Sequence, residues 1–292
     1  MFDDSSQKVA CICDLCPRHC HIKDGERGFC GARTVVQGTV VLAEPGRISG
    51  LALDPIEKKP LKRFYSGSNI LSLGFWGCNM LCPYCQNHEI SHPSLQDPVR
   101  SLRVLSTQQV VELAKSLILR GNIGVAYTYN EPLTSYEYVL ETAREVQAHG
   151  MKNVVVTNGC FELWVIEALL PYTDAWNIDL KSFQPQVYAA LGGDLLTVQR
   201  SIELVARKKH VEVTALIVSG QNDGEEEMQQ LSRWLAGVDK SIPLHINRSF
   251  PHWLRPDLVP PSVEKLTRLV NIARESLEFV YPGNFSLPFG RS

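Results

Sequence analysis

From residue 69 onward, short apolar runs alternate with longer stretches whose apolar residues recur every three to four positions. The runs 69–75, 123–129, 152–157, 174–180, 211–218 and 243–247 predict strands, and 277–280 predicts a short last one. The stretches 107–121, 132–148, 161–170, 195–208, 224–236 and 263–275 predict helices. In the first, Val110, Leu113, Ala114, Leu117 and Ile118 make one apolar face, with Thr107 as the expected cap and Gly121 as the stop. Six strand–helix repeats imply parallel strands, right-handed crossovers and helices on the outside. An open doubly wound sheet and a full or partial α/β barrel share that pattern. No G-x-G-x-x-G follows the first strand, which speaks against a dinucleotide-binding sheet. In either architecture, reactive residues belong at the carboxyl ends of the strands.

The chain before residue 69 is less regular. Residues 1–35 hold five cysteines and no sustained apolar period, so they read as an extension. Residues 36–68 read as a connecting segment leading into a core over 69–292. The stretch 35–42 (VVQGTVVL) predicts a hairpin around Gly38, and 54–60 (DPIEKKP) a rigid polar loop laid over another surface.

Composition narrows the function classes. The chain has 292 residues, is 44% hydrophobic and 21% charged, and carries a net charge of −2. That balance offers no electrostatic footprint for nucleic acid and no basic face for anionic lipid. No run of apolar residues is long enough to span a bilayer. The start, MFDDSSQKVA, lacks the basic and apolar parts of a signal peptide, so a cytoplasmic address is expected.

Eight of the nine cysteines fall in two short stretches. In a chain neither small nor visibly secreted, such clusters read as metal or iron–sulfur ligands rather than a disulfide framework. One stretch follows the first strand: Cys78, Cys82 and Cys85 in GCNMLCPYCQ. Three thiolates on one loop can ligate three irons of a [4Fe–4S] cubane and leave the fourth iron open. A zinc site would want a fourth ligand, for which His88 is at hand. The other stretch sets Cys13, Cys16, Cys20 and Cys30 at spacings suited to zinc or to a second [4Fe–4S] cluster. Cys11 and His19 are spare ligands, and Cys160 stands alone as a small packed residue.

C-x3-C-x2-C with an aromatic before the last cysteine resembles the radical S-adenosylmethionine (radical SAM) superfamily. Together, DPIEKKPL (54–61), GCNMLCPYCQNHEIS (77–91) and TYNEP (128–132) resemble its pyruvate formate-lyase activating enzyme-like proteins. The similarity is greatest to the branch called AmmeMemoRadiSam system radical SAM enzymes and runs over nearly the whole chain. The resemblance implies a partial (β/α)6 barrel with a cysteine-rich N-terminal extension. It implies that Cys78, Cys82 and Cys85 hold a catalytic [4Fe–4S] cluster whose open iron binds SAM. One-electron reduction of the sulfonium then yields a 5′-deoxyadenosyl radical that abstracts a hydrogen atom.

The resemblance also implies a cofactor-binding set. Asn130 and Glu131 stand where the superfamily carries a glycine-rich stretch with a glutamate that meets the SAM amino group; helix N-terminal charge beside Pro132 is the alternative for Glu131. Asn158 follows Thr157 at the third strand end, where relatives carry a ribose ligand before T-N-G; a plain turn is the alternative. Asp179 and Lys181 resemble the D-L-K motif around the SAM carboxylate and substrate peptide. His245 matches a histidine near the ribose, with a core histidine as the alternative. Tyr84 is expected to lay its backbone against adenine. The implied electron donor is reduced flavodoxin or ferredoxin. Three functions stay open: activation of a glycyl-radical enzyme, radical modification of a small molecule or another protein residue, and a non-catalytic metal-binding interaction protein.

Overall fold

The six main apolar runs past residue 69 are all strands in the computed structural model, which describes residues 10–92 and 103–287. The start of the chain, on which the signal-peptide expectation rests, lies outside the described residues. The main sheet has eight strands: β1 (Gly50–Pro55), β2 (Asn69–Gly74), β3 (Asn122–Thr128), β4 (Lys152–Thr157), β5 (Ala175–Asp179), β6 (His210–Ile217), β7 (Leu244–Arg248) and β8 (Val280–Gly283). Six main helices alternate with the strands: α1 (Thr107–Ser116), α2 (Tyr136–Ala148), α3 (Leu163–Leu169), α4 (Leu195–Ala206), α5 (Glu225–Asp239) and α6 (Val263–Arg274).

Strand order decides between the two architectures. In space the strands follow the chain from β1 to β8 without reversal. A doubly wound sheet must reverse its order to put helices on both faces. Here right-handed crossovers keep the helices on one face, and the other face curls inward. β1 and β8 are the ends of the hydrogen-bonded order and do not pair with each other, so the barrel is partial.

Alternation along the strands separates two interiors. Leu71, Leu73, Tyr127, Val155, Trp176 and Val213 face the helices and share one core with their apolar stripes. Ile70, Ala126, Val154 and Ala175 point the other way and pack on Ile56 and Leu61. The segment after β1 therefore plugs the barrel at its amino end. Asn177 donates to the Pro60 carbonyl at 2.9 Å, and Glu212 accepts the Lys62 and Arg63 N–H at 2.9 and 2.7 Å.

Three local expectations need correction. The expected polar loop at 54–60 begins as the end of β1, which pairs antiparallel with β2, and then enters the barrel instead of lying over a surface. The last strand lies at 280–283 rather than 277–280. The cap of α1 is Ser106, not Thr107: Ser106 and Gln109 form a reciprocal capping box. Gly121 ends the following turn at φ 80°, as expected.

The extension is built from short pairings. Cys11–Ile12 pairs with His21–Ile22, and Arg33–Val36 with Thr39–Leu42 around Gln37 and Gly38. It rests on the carboxyl ends of the first parallel strands: Glu162 donates its N–H to the Leu15 carbonyl at 3.1 Å, and Arg33 pairs with Glu137 at the start of α2. Among the described residues, no helix is long and apolar enough to cross a membrane.

Candidate active site

β2 runs out at Gly74, and the chain turns at Gly77, whose φ of 82° suits glycine. Asn130, just past β3, fixes this turn from below. It accepts the Phe75 N–H at 2.8 Å and donates to the Gly77 carbonyl at 2.7 Å. The loop that follows carries Cys78, Cys82 and Cys85 and closes through the helical turn His88–Ser91, where Gly77 N–H reaches the Ile90 carbonyl. Leu81 N–H donates to Leu191, and Leu254 N–H reaches over to Pro83. The loop is thus held on several sides.

The three thiols are free, part-buried and within one another's electrostatic reach. Cys78 accepts the Met80 N–H at 3.4 Å and lies 3.8 Å from Asn158 Nδ2. Burial holds the Cys78 thiol well above its usual range, and Glu131 and Cys82 push it further. Burial raises Cys82 to about 11, against the pull of Lys181. This donor set fits an iron–sulfur cluster held at three corners: soft sulfur ligands, one loop, a cation beside them.

Two groups of side chains surround the loop. On the Cys78 side, Glu131 is 1% exposed and hydrogen-bonded through both carboxylate oxygens. It accepts from Thr157 Oγ1 and Asn158 N–H, both at 2.7 Å, and from Leu133 N–H at 3.1 Å. Burial lifts its carboxyl to about 7 against these donors. It also caps the 3-10 turn Pro132–Ser135, so the helix-start role is present as well. Asn158 donates to Asn79 Oδ1 at 2.8 Å.

On the Cys82 side, Lys181 Nζ meets Asp179 Oδ2 at 2.6 Å. Burial alone would lower the Lys181 pKa; the charges of Asp179 and Cys82 outweigh it and hold it well above the usual lysine range. Tyr84 is buried in the same field, and its hydroxyl accepts from Gln221 at 3.0 Å.

His245 is placed differently. It is 3% exposed near the start of β7, and its Nε2 is 2.6 Å from Glu212 Oε2. Glu212 is its partner. His88 stacks on Trp253, with ring centroids 5.5 Å apart and 11° between planes. Cys160 is packed and accepts the Asp194 N–H at 3.3 Å.

Cys13, Cys16, Cys20 and Cys30 line one cavity, while Cys11 turns away to the Gly38 carbonyl. Among the described residues, no group of three or more His, Cys, Asp or Glu side chains is placed to hold a single metal ion.

Asn79 escaped sequence reasoning. Its carbonyl accepts from Arg18 Nε at 2.5 Å, its Nδ2 donates to Cys160, and its Oδ1 holds Asn158. Its only signal was adjacency to Cys78. Nothing in the motif distinguishes it from a spacer.

Comparison with known proteins agrees with this geometry. The model of the radical SAM superfamily matches residues 75–235, more than half the chain. The uncharacterized protein MJ0808 of Methanocaldococcus jannaschii is 37% identical over 277 residues, covering 93% of this chain and 80% of that protein. Two solved structures share the fold at low identity. Streptococcus suis SuiB bound to precursor peptide SuiA is 14% identical over 78% of this chain and 51% of that one, with a TM-score of 0.54. Methylornithine synthase (PylB) is 12% identical over 77% of this chain and 76% of that one, with a TM-score of 0.52. With three free cysteines at the mouth of a partial barrel and a matching family model over most of that barrel, the chain belongs to the radical SAM superfamily.

Proposed function

We propose that this chain is a cytoplasmic radical SAM enzyme of the activating-enzyme type, which abstracts a glycine α-hydrogen from a partner protein. The observation that carries the reading is the meeting of Cys78, Cys82 and Cys85 with Asp179, Lys181, Glu131 and Asn158 at one end of the barrel. When bound, a [4Fe–4S] cluster would supply the electron for reductive SAM cleavage, the source of hydrogen-abstracting power.

The chain's own residues do the rest. Cys78, Cys82 and Cys85 would supply the three sulfur ligands that hold the cluster. Lys181 offsets thiolate charge beside Cys82, and Asp179 fixes its ammonium. Glu131 orients the Asn158 backbone and offers a carboxylate to the SAM ammonium. Asn130 keeps the loop in register, and Tyr84 supplies a backbone edge for adenine. His245 remains with Glu212 and stays outside the cofactor set. Electrons come from reduced flavodoxin or ferredoxin. The four N-terminal cysteines carry a second metal centre. The likeness to AmmeMemoRadiSam enzymes supports the same chemistry.

A second reading, a small polar substrate, is favoured by one observation. Lys59, 2% exposed, pairs with Asp54 at 2.7 Å, and Asp54 also accepts from Tyr129 OH at 2.6 Å. Tyr129 has φ 72° and lays its ring on Gly74 at the barrel mouth. This charged chain suits a polar guest.

Anaerobic reconstitution with dithionite and SAM tests the class. Deoxyadenosine should form in the wild type and vanish when Cys78, Cys82 or Cys85 becomes Ala. Deuterium transfer from a labelled glycyl-radical partner, absent with small molecules, supports the first reading over the second.

A further inference from the structure

The chain between β7 and α6, residues 249–262, forms no helix and no strand beyond one bridge between His252 and Arg255. It leaves the carboxyl end of β7 and reaches the cysteine loop that follows β2. In the sheet, β3, β4, β5 and β6 stand between those two strands. The contact therefore runs across the barrel mouth and not along the sheet. Loops this long in a compact domain are commonly lids or binding loops.

Its hold on the cysteine loop is specific. The Trp253 indole lies between two imidazoles: His88, with ring centroids 5.5 Å apart and 11° between planes, and His92, at 5.3 Å and 9°. Near-parallel rings at such spacings are offset stacks. His88 Nδ1 is buried without a hydrogen-bond partner, so the stack and not a bond from that nitrogen holds the ring. Leu254 N–H donates to the Pro83 carbonyl at 3.0 Å, between Cys82 and Cys85. Trp253 itself has φ 46°, a left-handed conformation that a bulky residue seldom adopts. Strain of this kind persists only where surrounding contacts hold it.

His88 and His92 bracket the helical turn His88–Ser91. That turn touches both ends of the cysteine loop. Its Ile90 carbonyl accepts the Gly77 N–H at 2.9 Å, next to Cys78. Ser91, 3% exposed, sets its Oγ 3.8 Å from the Cys85 sulfur. In the free thiol, Cys85 S–H is the donor. A cysteine that holds iron is a thiolate with no proton to give, so the roles reverse and the Ser91 hydroxyl donates to sulfur. A hydrogen bond to a ligand sulfur favours the more negative, reduced cluster.

We propose that residues 249–262 are a strap across the barrel mouth, that Trp253 is its latch, and that the latch keeps the Ser91 hydroxyl on the Cys85 sulfur. Trp253 is then a positioning residue for the Cys85 corner, and Ser91 sets how readily the cluster accepts an electron. The proposal rests on reading Cys85 as a cluster ligand.

A redox titration of the anaerobically reconstituted full chain, followed by electron paramagnetic resonance, tests this. Ser91→Ala should lower the ratio of reduced to oxidised cluster at a fixed potential about two- to tenfold, the span of one hydrogen bond. Trp253→Ala should shift it the same way, and Trp253→Phe, which keeps a stacking ring, should stay near the wild type. The double variant of Ser91→Ala and Trp253→Ala should do no more than Ser91→Ala alone. Limited proteolysis of the full chain, with or without iron, gives a second readout. Cleavage within 249–262 should be faster in Trp253→Ala and unchanged in Ser91→Ala. A wild-type chain that takes up no iron would overturn the cluster reading and this proposal with it. A wild-type cluster whose ratio Ser91→Ala leaves unchanged would overturn the hydrogen bond alone. Additive effects in the double variant, or unchanged cleavage in Trp253→Ala, would overturn the latch.

Discussion

The carbonyl oxygen of Cys30 lies 1.9 Å from where a Cβ on Gly77 would stand. Gly77 immediately precedes Cys78, so the extension touches the backbone of the Cys78–Cys85 loop directly. Glycine serves two needs here: a left-handed φ and room for a foreign carbonyl. Gly77→Ala should cost about 1–2 kcal/mol for the backbone conformation alone. The clash must also push apart the extension and the loop. We expect the variant to fold but to take up less catalytic iron, measured as iron per chain beside a thermal unfolding curve. Normal iron content would mean that the contact is incidental.

Glu131 titrates in a useful range. Burial lifts its carboxyl from 4.5 to about 7. A raised acid favours the folded state most below 4.5, and that contribution is lost as pH rises through about 7. The ionised form is also the one that pairs with an ammonium. SAM binding should therefore tighten as pH rises through about 7. Glu131→Gln should weaken it roughly ten- to hundredfold at pH 8, from the loss of a charge-assisted bond of about 1.5–3 kcal/mol. The variant should also flatten the pH dependence. Anaerobic titration of SAM into the holoenzyme measures both, and an unchanged dissociation constant would assign Glu131 to capping alone.

Lys181 places a part-buried cation beside Cys82. Reduction adds an electron to the cluster, and a nearby positive charge favours that state. Lys181→Met removes the cation and leaves Asp179 facing the sulfur. The midpoint potential should fall by tens of millivolts, read from a redox titration followed by electron paramagnetic resonance. A potential that stays put would place the Lys181–Asp179 pair outside the cluster's field.

Glu212 is the most heavily engaged carboxylate in the barrel. Burial would raise its pKa, but His210, His245 and the Lys62 and Arg63 N–H groups pull it down to about 2. The stability from this lowered acid is present above 4.5 and drains away as pH falls toward about 2. Glu212→Gln breaks a buried charged network and should cost about 3–5 kcal/mol. Urea denaturation at pH 7 checks the magnitude. The gap between the variant and the wild type should narrow on acidification, and a gap that widened would reverse the sign of the argument.

Local rules made much of this protein legible. The strands and helices past residue 69 follow from apolar period and turn residues, because those signals act over a few positions. The Cys78–Cys82–Cys85 motif is visible for the same reason: three corners of one cluster can be served by one loop. Partnerships across long stretches of chain were decided by tertiary structure. β1 was hidden because its pairing with β2 depends on register between two segments rather than on its own period. Strand order, which separates a barrel from a doubly wound sheet, has no signature in any single repeat. His245 looks the same in sequence whether it meets a ribose or Glu212, 33 residues away. The spacing of the four N-terminal cysteines raises the expectation of a metal, and spacing says nothing of where they lie. That they lie against Gly77, and so against the catalytic loop, is a matter of which surfaces fit once the barrel has closed.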